Sequence, residues 1–545
     1  MAESVHPLVL RAREAFARSE IKSAEQAVEE RLKTAGRDIN ALEVRYQIQR
    51  HRGQFGEAAR TLDAVIGINS RADWAHNELI KLLMAHGKTA DADQVTRAAL
   101  RANPRNAQAH HLFGTLISNN GDLLAGEWHL RRAVEAGEPQ PQAAFLASLA
   151  DNLTRQGRLD EAKKYFDRAR AIDPNAAAQS GRGTMTASPA SLSDARGNRR
   201  SAEEALATLD AAKELNGEQQ LARGRLHDSL GHYEEAWQDF AAGKRKLAAE
   251  AGGLQYKADA VETLFNRFKQ FFTRENMSRM PRAKQRTDVP QPIFIVGPPR
   301  SGASVVDRIL RSHSSVPAGG DLPFLGELRK IAGDVLPAPQ PYPENLAQSW
   351  TADRHYSAAL FRDYYFARAE RFGLLNGGGK AFFTDSMSLN ELHLPLLKIA
   401  FPQAKIIYMM RHPLDVSVSM LANHVTHGFN CGYRIEDVTH HLAAMSDLFE
   451  HYRRELDLGE YVLKYEALVA DQAGQTRKLL DYLGLPFEEA CLRFHEQQRH
   501  GPTPGAARPI SALNSQSVDR HRHYAPHLKA HVSRVRPLMA AQGYE

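Results

Sequence analysis

Cysteine is nearly missing from this 545-residue chain, which has only Cys431 and Cys491. Two thiols argue against a disulfide framework and against a structural zinc site. Long apolar runs are missing as well. No stretch approaches the ~18 residues that a membrane-spanning helix needs, so no membrane partner is expected. The opening residues Met1-Ala2-Glu3-Ser4-Val5-His6-Pro7 lack the basic segment and apolar core of a leader, and the expectation is a cytoplasmic protein. Charge of one sign is not in large excess: 70 basic against 64 acidic residues give a net charge of +6. That balance suits an anionic ligand without demanding nucleic acid. No His/Cys/Asp/Glu cluster has metal-ligand spacing, so no metal is expected. No G-x-S-x-G elbow supports a serine hydrolase. The length itself implies several domains.

Strand signal is absent from residues 5 to 250, which are rich in Ala, Leu, Glu, Lys, Arg and Gln, the good helix formers. Punctuation recurs there. Gly53, Gly87, Gly121 and Gly157 lie 34, 34 and 36 residues apart, and Pro104, Pro139 and Pro174 lie 35 and 35 apart. Each glycine precedes an alanine-containing helical pattern, such as Phe55-Gly56-Glu57-Ala58 or Leu159-Asp160-Glu161-Ala162. Gly231 with Tyr233-Glu234-Glu235-Ala236 offers a further copy. A period near 34 with helix–turn–helix punctuation resembles tetratricopeptide repeats, whose pairs stack so that each covers its neighbour's apolar face. Such arrays bind peptides or proteins on a concave face; packing on the next domain or forming a homo-oligomer are the alternatives. Residues 175–202 break the period. The expected division is a repeat array over 1–255, a helix and basic linker over 256–291, and an α/β domain over 292–545.

The α/β domain opens on the most informative stretch, Pro292-Ile293-Phe294-Ile295-Val296-Gly297-Pro298-Pro299-Arg300-Ser301-Gly302-Ala303-Ser304. A β-branched strand ends in a Gly/Pro turn, and a helical pattern follows. Backbone N–H groups and the positive end of the helix dipole make such a loop a phosphate cradle. Gly297, Gly302 and Ser304 keep the register of G-x-x-x-x-G-K-[ST], but Ala303 stands where the lysine belongs. An ATPase or GTPase would lack its β/γ-phosphate cation. Arg300 and Ser301 inside the loop suit a terminal anion held without Mg²⁺. The rival reading is a βα turn without a ligand.

Further short strands are expected at Phe382–Thr384, Lys405–Met410 and Tyr461–Lys464, alternating with helices, as in a parallel sheet with ligands at the strands' carboxyl ends. Arg411 follows the Lys405 strand, and Ser419 lies two turns into the next helix. An arginine fork plus a hydroxyl suits a second phosphate; a surface salt bridge is the alternative for Arg411.

The loop, the Lys405–Ser419 block and Tyr465-Glu466-Ala467-Leu468-Val469 resemble, in that order, the sulfotransferases, and in detail the bacterial class that joins tetratricopeptide repeats to a sulfotransferase domain. Supporting stretches are Ser312-His313, Val316, Gly319-Gly320, Phe401 to Ile407, Leu479 to Pro486, and Ser517-Val518-Asp519-Arg520. The resemblance implies a multidomain chain: an all-α tetratricopeptide-like superhelix followed by an α/β P-loop-like sulfotransferase domain with a parallel sheet. It implies transfer of a sulfonate from 3′-phosphoadenosine 5′-phosphosulfate to a hydroxyl of a peptide, protein or other large acceptor, without metal. Arg300, Ser301, Gly302, Ala303 and Ser304 would hold the 5′-phosphosulfate, and Arg411 and Ser419 the 3′-phosphate. Tyr465 would meet the adenine edge, and Ser517 and Arg520 would line the same cofactor.

Three positions depart from the family pattern. Ala303 replaces a threonine. Gly320-Asp321 stands where relatives carry Gly-Glu, which makes Asp321 the candidate base, with a helix N-cap as the competing role. Asp385-Ser386-Met387-Ser388 replaces Asp-Lys-Met-Pro, so Ser386, Lys380 after Gly377-Gly378-Gly379, or Arg300 would take over stabilisation of the transferring group. His412, His424 and His427 lie nearby in the sequence as weaker base candidates. The alternative function is a nucleotide-binding scaffold with weakened catalysis that acts through its repeats.

Overall fold

The computed structural model describes residues 5–85, 89–119, 123–156, 158–173, 199–211, 214–250, 255–317, 319–375, 381–425, 430–496 and 512–544. Gly87, Gly121, Gly157, Pro174 and the period break from 175 to 198 lie outside them, as do Lys380 and His427. The chain divides into two compact units.

The first unit is built of helices from Pro7–Ala17 to Leu159–Ile172. Neighbouring helices pair, for example Ile39–His51 with Phe55–Ile68 and Ala107–Asn119 with Leu123–Gly137. Their packing rests on a small-residue ladder. Ala24, Ala41, Ala58, Ala75, Ala92 and Ala109 follow one another every 17 residues and are all fully buried. Seventeen is half the 34-residue repeat, so each helix contributes one rung. The next position, 126, is a glycine. A Cβ there would meet Ser118 Oγ at 2.1 Å and Gly114 O at 2.9 Å, so these two helices approach closer than alanine permits. Ion pairs lace successive repeats: Glu127 receives Arg131 and Arg158, and Arg131 reaches Glu161 at 2.5 Å. The arginines and Glu161 are part-exposed while Glu127 is buried between them.

The second unit holds a four-stranded parallel sheet: β1 (Gln291–Val296), β2 (Phe382–Asp385), β3 (Lys405–Met410) and β4 (Tyr461–Lys464), in the order β2-β1-β3-β4. All four correspond to runs expected from the sequence. The register pairs Phe294 with Asp385 and with Ile406, and Met410 with Lys464. Side chains alternate faces along each strand. Phe294, Val296, Ile406 and Tyr408 enter one core with Phe324, Tyr365 and Phe449. Ile293, Ile295, Ile407 and Met409 enter the other with Val306, Ile309, Leu310 and Leu479. Both faces are therefore covered, as parallel sheets require.

Helices Gly217–Leu230 and Tyr233–Glu250 continue the repeat-like pairing, and the sequence reading groups them with the array. They nevertheless share the second unit and its packing. Leu221, Ala236, Phe240 and Leu247 lie in one cluster with Leu414, Val418, Leu421, Ala422, Tyr524 and Val535. Among the described residues, no helix is long and apolar enough to cross a membrane, and no His/Cys/Asp/Glu group could hold a metal ion.

Phe240 is fully buried in that shared cluster. Phe240→Ala is expected to destabilise the second unit by about 3–5 kcal/mol. The check is urea unfolding of the full chain followed by hydrogen exchange at β1 and β3 amides. Unchanged protection there would mean that the helical pair is not part of the sheet's cooperative core.

Candidate active site

The site lies at the carboxyl ends of β1 and β3. Past Val296 the chain turns through Gly297 (φ +137°), Arg300 (φ +72°) and Gly302 (φ +107°) into the helix Ala303–Arg311. Positive φ at a non-glycine residue stores strain, so the turn around Arg300 is held by its surroundings. A Cβ on Gly302 would meet Tyr465 Cδ2 at 2.6 Å, and one on Gly297 would meet Met409 O at 2.6 Å. Only glycine lets the loop lie this close to Tyr465 and β3. Ser301 is completely buried, and among the described residues its hydroxyl has no hydrogen-bond partner. It sits at the mouth of the helix's first turn, where Ala303 and Ser304 N–H groups have no intrahelical acceptor.

Arg411 leaves the end of β3 and is buried. Its Nη1 donates to Arg300 O at 2.8 Å and its Nη2 to Ser517 O at 2.5 Å. The guanidinium lies 4.9 Å from the Tyr465 ring centroid, and its Nε has no partner among the described residues. Arg300 Nε donates to Ser419 Oγ at 3.1 Å. Arg300, Ser301, Gly302, Arg411, Ser419, Tyr465 and the Ser517 backbone thus converge on one cradle. Two polar atoms, Ser301 Oγ and Arg411 Nε, are buried in it without partners. The surface-salt-bridge alternative for Arg411 does not hold.

Arg520 is anchored through one side of its guanidinium, and its Nη2 has no partner among the described residues. Its Nε donates to Asp228 Oδ1 at 3.0 Å, on the helix Gly217–Leu230, and Tyr524 hydroxyl donates to the same oxygen. The C-terminal segment is also fixed by Asp415, which accepts Asp519 N at 2.9 Å, His521 N at 2.7 Å and His521 Nδ1 at 2.9 Å. Burial works against the Asp415 charge, but the His521 donors outweigh it and keep the carboxyl below its ordinary range. His412, a base candidate, stacks on His521 at 4.0 Å, and burial holds its pKa down. Its backbone N–H donates to Glu466 at 2.8 Å, and Tyr544 hydroxyl donates to the other Glu466 oxygen at 2.8 Å. His424 is tied to Glu218 at 2.6 Å.

The other end of the site is stitched to β2. Gly319 N donates to Thr384 Oγ1 at 3.1 Å and Ser386 N to Gly320 O at 2.8 Å. Ser386 Oγ lies 3.4 Å from Asp321 Oδ1. The helix Phe324–Val335 begins at Pro323 with no side-chain cap, so Asp321 is not its N-cap. Just beneath, Asp385 is fully buried and accepts Tyr365 hydroxyl at 2.6 Å, Asn390 Nδ2 at 2.8 Å and Met387 N at 3.2 Å. Burial raises its pKa to about 7 in spite of these donors, and the Asp321 charge adds to the rise. Sequence reasoning missed Asp228, Asp415, Glu466 and Tyr544, because their partners lie far along the chain. Asp415 carried a weak signal, opening the helix after Arg411.

Residues 292–489 match the family model described as "Sulfotransferase family", and residues 143–176 match "Tetratricopeptide repeat". An uncharacterized protein of Aquifex aeolicus (strain VF5) is 28% identical over 247 residues, covering 44% of this chain and 31% of that protein. The chain spans less than a third of the length of the curated relatives it matches. Among solved structures, the sulfotransferase domain from the curacin biosynthetic pathway is 19% identical, with a TM-score of 0.30, covering 47% of this chain and 99% of that one. A tetratricopeptide repeat protein from Parabacteroides merdae ATCC 43184 is 17% identical, with a TM-score of 0.34, covering 44% and 91%. Strand, anion loop, helix and second arginine thus sit within the matched segment, and this chain carries a sulfotransferase-family domain preceded by a tetratricopeptide-repeat region.

Proposed function

We propose that the chain is a sulfotransferase that uses 3′-phosphoadenosine 5′-phosphosulfate as donor and a hydroxyl of a peptide, protein or other large acceptor, presented by the repeats. The observation that carries this reading is the cradle that joins the β1 loop to Arg411 and Ser419, with two buried polar atoms, Ser301 Oγ and Arg411 Nε, that have no partner among the described residues. Ala303 at the lysine position disfavours a nucleoside triphosphate.

In this reading Arg300, the Ser301 hydroxyl and the backbone of Gly302, Ala303 and Ser304 hold the 5′ end. Arg411 and Ser419 hold the 3′-phosphate, and Tyr465 flanks the base. Ser517 acts through its carbonyl, which aims Arg411, and Arg520 acts by fixing the segment that carries Ser517. The donor supplies an activated sulfonate on a phosphate leaving group. Asp321 accepts the acceptor's hydroxyl proton at a carboxylate oxygen that faces the Ser386 hydroxyl. Arg300 and the helix's first turn stabilise charge developing on the leaving phosphate oxygen. Lys380 is a further candidate cation for that role and lies outside the described residues.

Calorimetric titration with 3′-phosphoadenosine 5′-phosphate is expected to give binding in about the micromolar range, with discrimination against ATP and loss in Arg300→Ala. Equal affinity for ATP would contradict the donor assignment. Asp321→Asn is expected to lower kcat by about 10²–10⁴ while leaving affinity for the bisphosphate intact, checked in a transfer assay over hydroxyl acceptors. Unaltered turnover would remove Asp321 as the base. Binding without transfer to any acceptor would favour a nucleotide-binding scaffold.

A further inference from the structure

The end of the Ser419 helix is finished by residues from outside the matched sulfotransferase segment. The helix Pro413–Leu421 leaves terminal carbonyls that need donors. Arg225 Nη1 donates to Ala422 O at 2.8 Å, and Lys244 Nζ donates to Asn423 O at 2.7 Å. Asn423 in turn donates from Nδ2 to Ser419 O at 2.8 Å. Both donors come from the helical pair Gly217–Leu230 and Tyr233–Glu250, and both sit at the negative end of the Ser419 helix dipole.

The same pair grips the C-terminal segment. Asp228 holds Arg520 and Tyr524, Tyr233 stacks on His523 at 4.1 Å, and Trp237 stacks on His527 at 4.6 Å. The two chain segments that deliver Ser419 and Ser517 to the second anion position are therefore docked on one helical hairpin.

Lys244 is the notable member. It is 1% exposed. Facing it are Glu218 and Arg225 from the first helix of the pair, Arg300 from the anion loop, Cys431, the Asn423 carbonyl and the Tyr433 ring at 5.8 Å. Burial pulls its pKa down to about 7, with Glu218 and Cys431 opposing and Arg225 and Arg300 reinforcing the fall. A lysine already beside one arginine gains from a second negative charge near by.

We propose that the hairpin 217–250 is part of the donor site, and that Lys244 is a positioning residue that, through Asn423 and the end of the Ser419 helix, selects a ligand carrying a phosphate at Arg411 and Ser419, beside Arg300. This rests on the donor reading given above. An anion at that place offsets the Arg300 charge that Lys244 faces, so Lys244 takes up a proton as the ligand binds. Its contribution falls on the 3′-phosphate and not on the 5′ end, which the β1 loop holds.

The test compares 3′-phosphoadenosine 5′-phosphate with adenosine 5′-phosphate by calorimetry on the full chain, in two buffers of different ionisation heat near pH 8. Lys244→Met is expected to lose about 10- to 100-fold in affinity for the bisphosphate and little for the monophosphate. Lys244→Arg restores most of the loss. Wild type takes up about one proton on binding the bisphosphate, and both variants take up none. Equal losses for the two ligands, or unchanged proton uptake in Lys244→Met, would reduce Lys244 to a helix cap and overturn the inference. Thermal unfolding of both variants separates loss of fold from loss of selection. Wild type that binds neither ligand would overturn the donor reading as well; wild type that binds, with Lys244→Met unaltered, would overturn this inference alone.

Discussion

The organisation of the site depends on one buried guanidinium. Arg411 is fixed by two carbonyls, Arg300 O on the loop after β1 and Ser517 O near the C-terminus. It therefore joins three segments that the sequence separates by more than 100 residues on either side. A carbonyl cannot neutralise a charge. The two carbonyls hold Nη1 and Nη2 of the fork, Nε has no partner among the described residues, and the charges of Asp415 and Glu466 favour the guanidinium against the burial that opposes it. The strained φ at Arg300 and the glycines that let the loop press against Tyr465 follow from the same demand, because the carbonyl of Arg300 must face Arg411.

Around that centre, carboxylates are used as fasteners. Asp415 gathers three donors from residues 519 to 521, Glu466 joins His412 N to the Tyr544 hydroxyl, and Asp228 joins Arg520 to Tyr524. Each spends an acidic residue on backbone or side-chain donors of the C-terminal segment. Asp415 and Glu466 are thus committed to fastening the C-terminal segment, and their charges also favour the guanidinium of Arg411.

Much of the fold could be read from the residues. β1 and β3 are β-branched and buried on both faces, and such runs have no competing helical pattern. The 34-residue period showed through glycine and proline punctuation. The rung that makes the repeats pack is a buried alanine every 17 residues, and it is harder to see, because alanine is common everywhere in this half of the chain. The loop residues from Arg300 to Ser304, with Arg411, Ser419 and Tyr465, could be named because each sits directly after a strand or within its following helix. Lys244 and Asp228 could not: their partners are 179 and 292 residues away, and nothing local distinguishes a lysine that will be buried from one that will be solvated. Asp321 was divided between base and cap by sequence. The backbone settles only the cap, since Pro323 opens the helix that follows.

The dependence of Arg411 on Ser517 has a consequence for the making of the protein. A chain emerging from the ribosome can pair β1 with β3 once residue 410 is out, yet the second anion position remains open until more than a hundred further residues have been added. Until then the guanidinium has lost one of its two carbonyls, and the Asp228 and Asp415 fasteners have nothing to hold. The contacts that hold Arg411 are therefore complete only once residue 517 has been added.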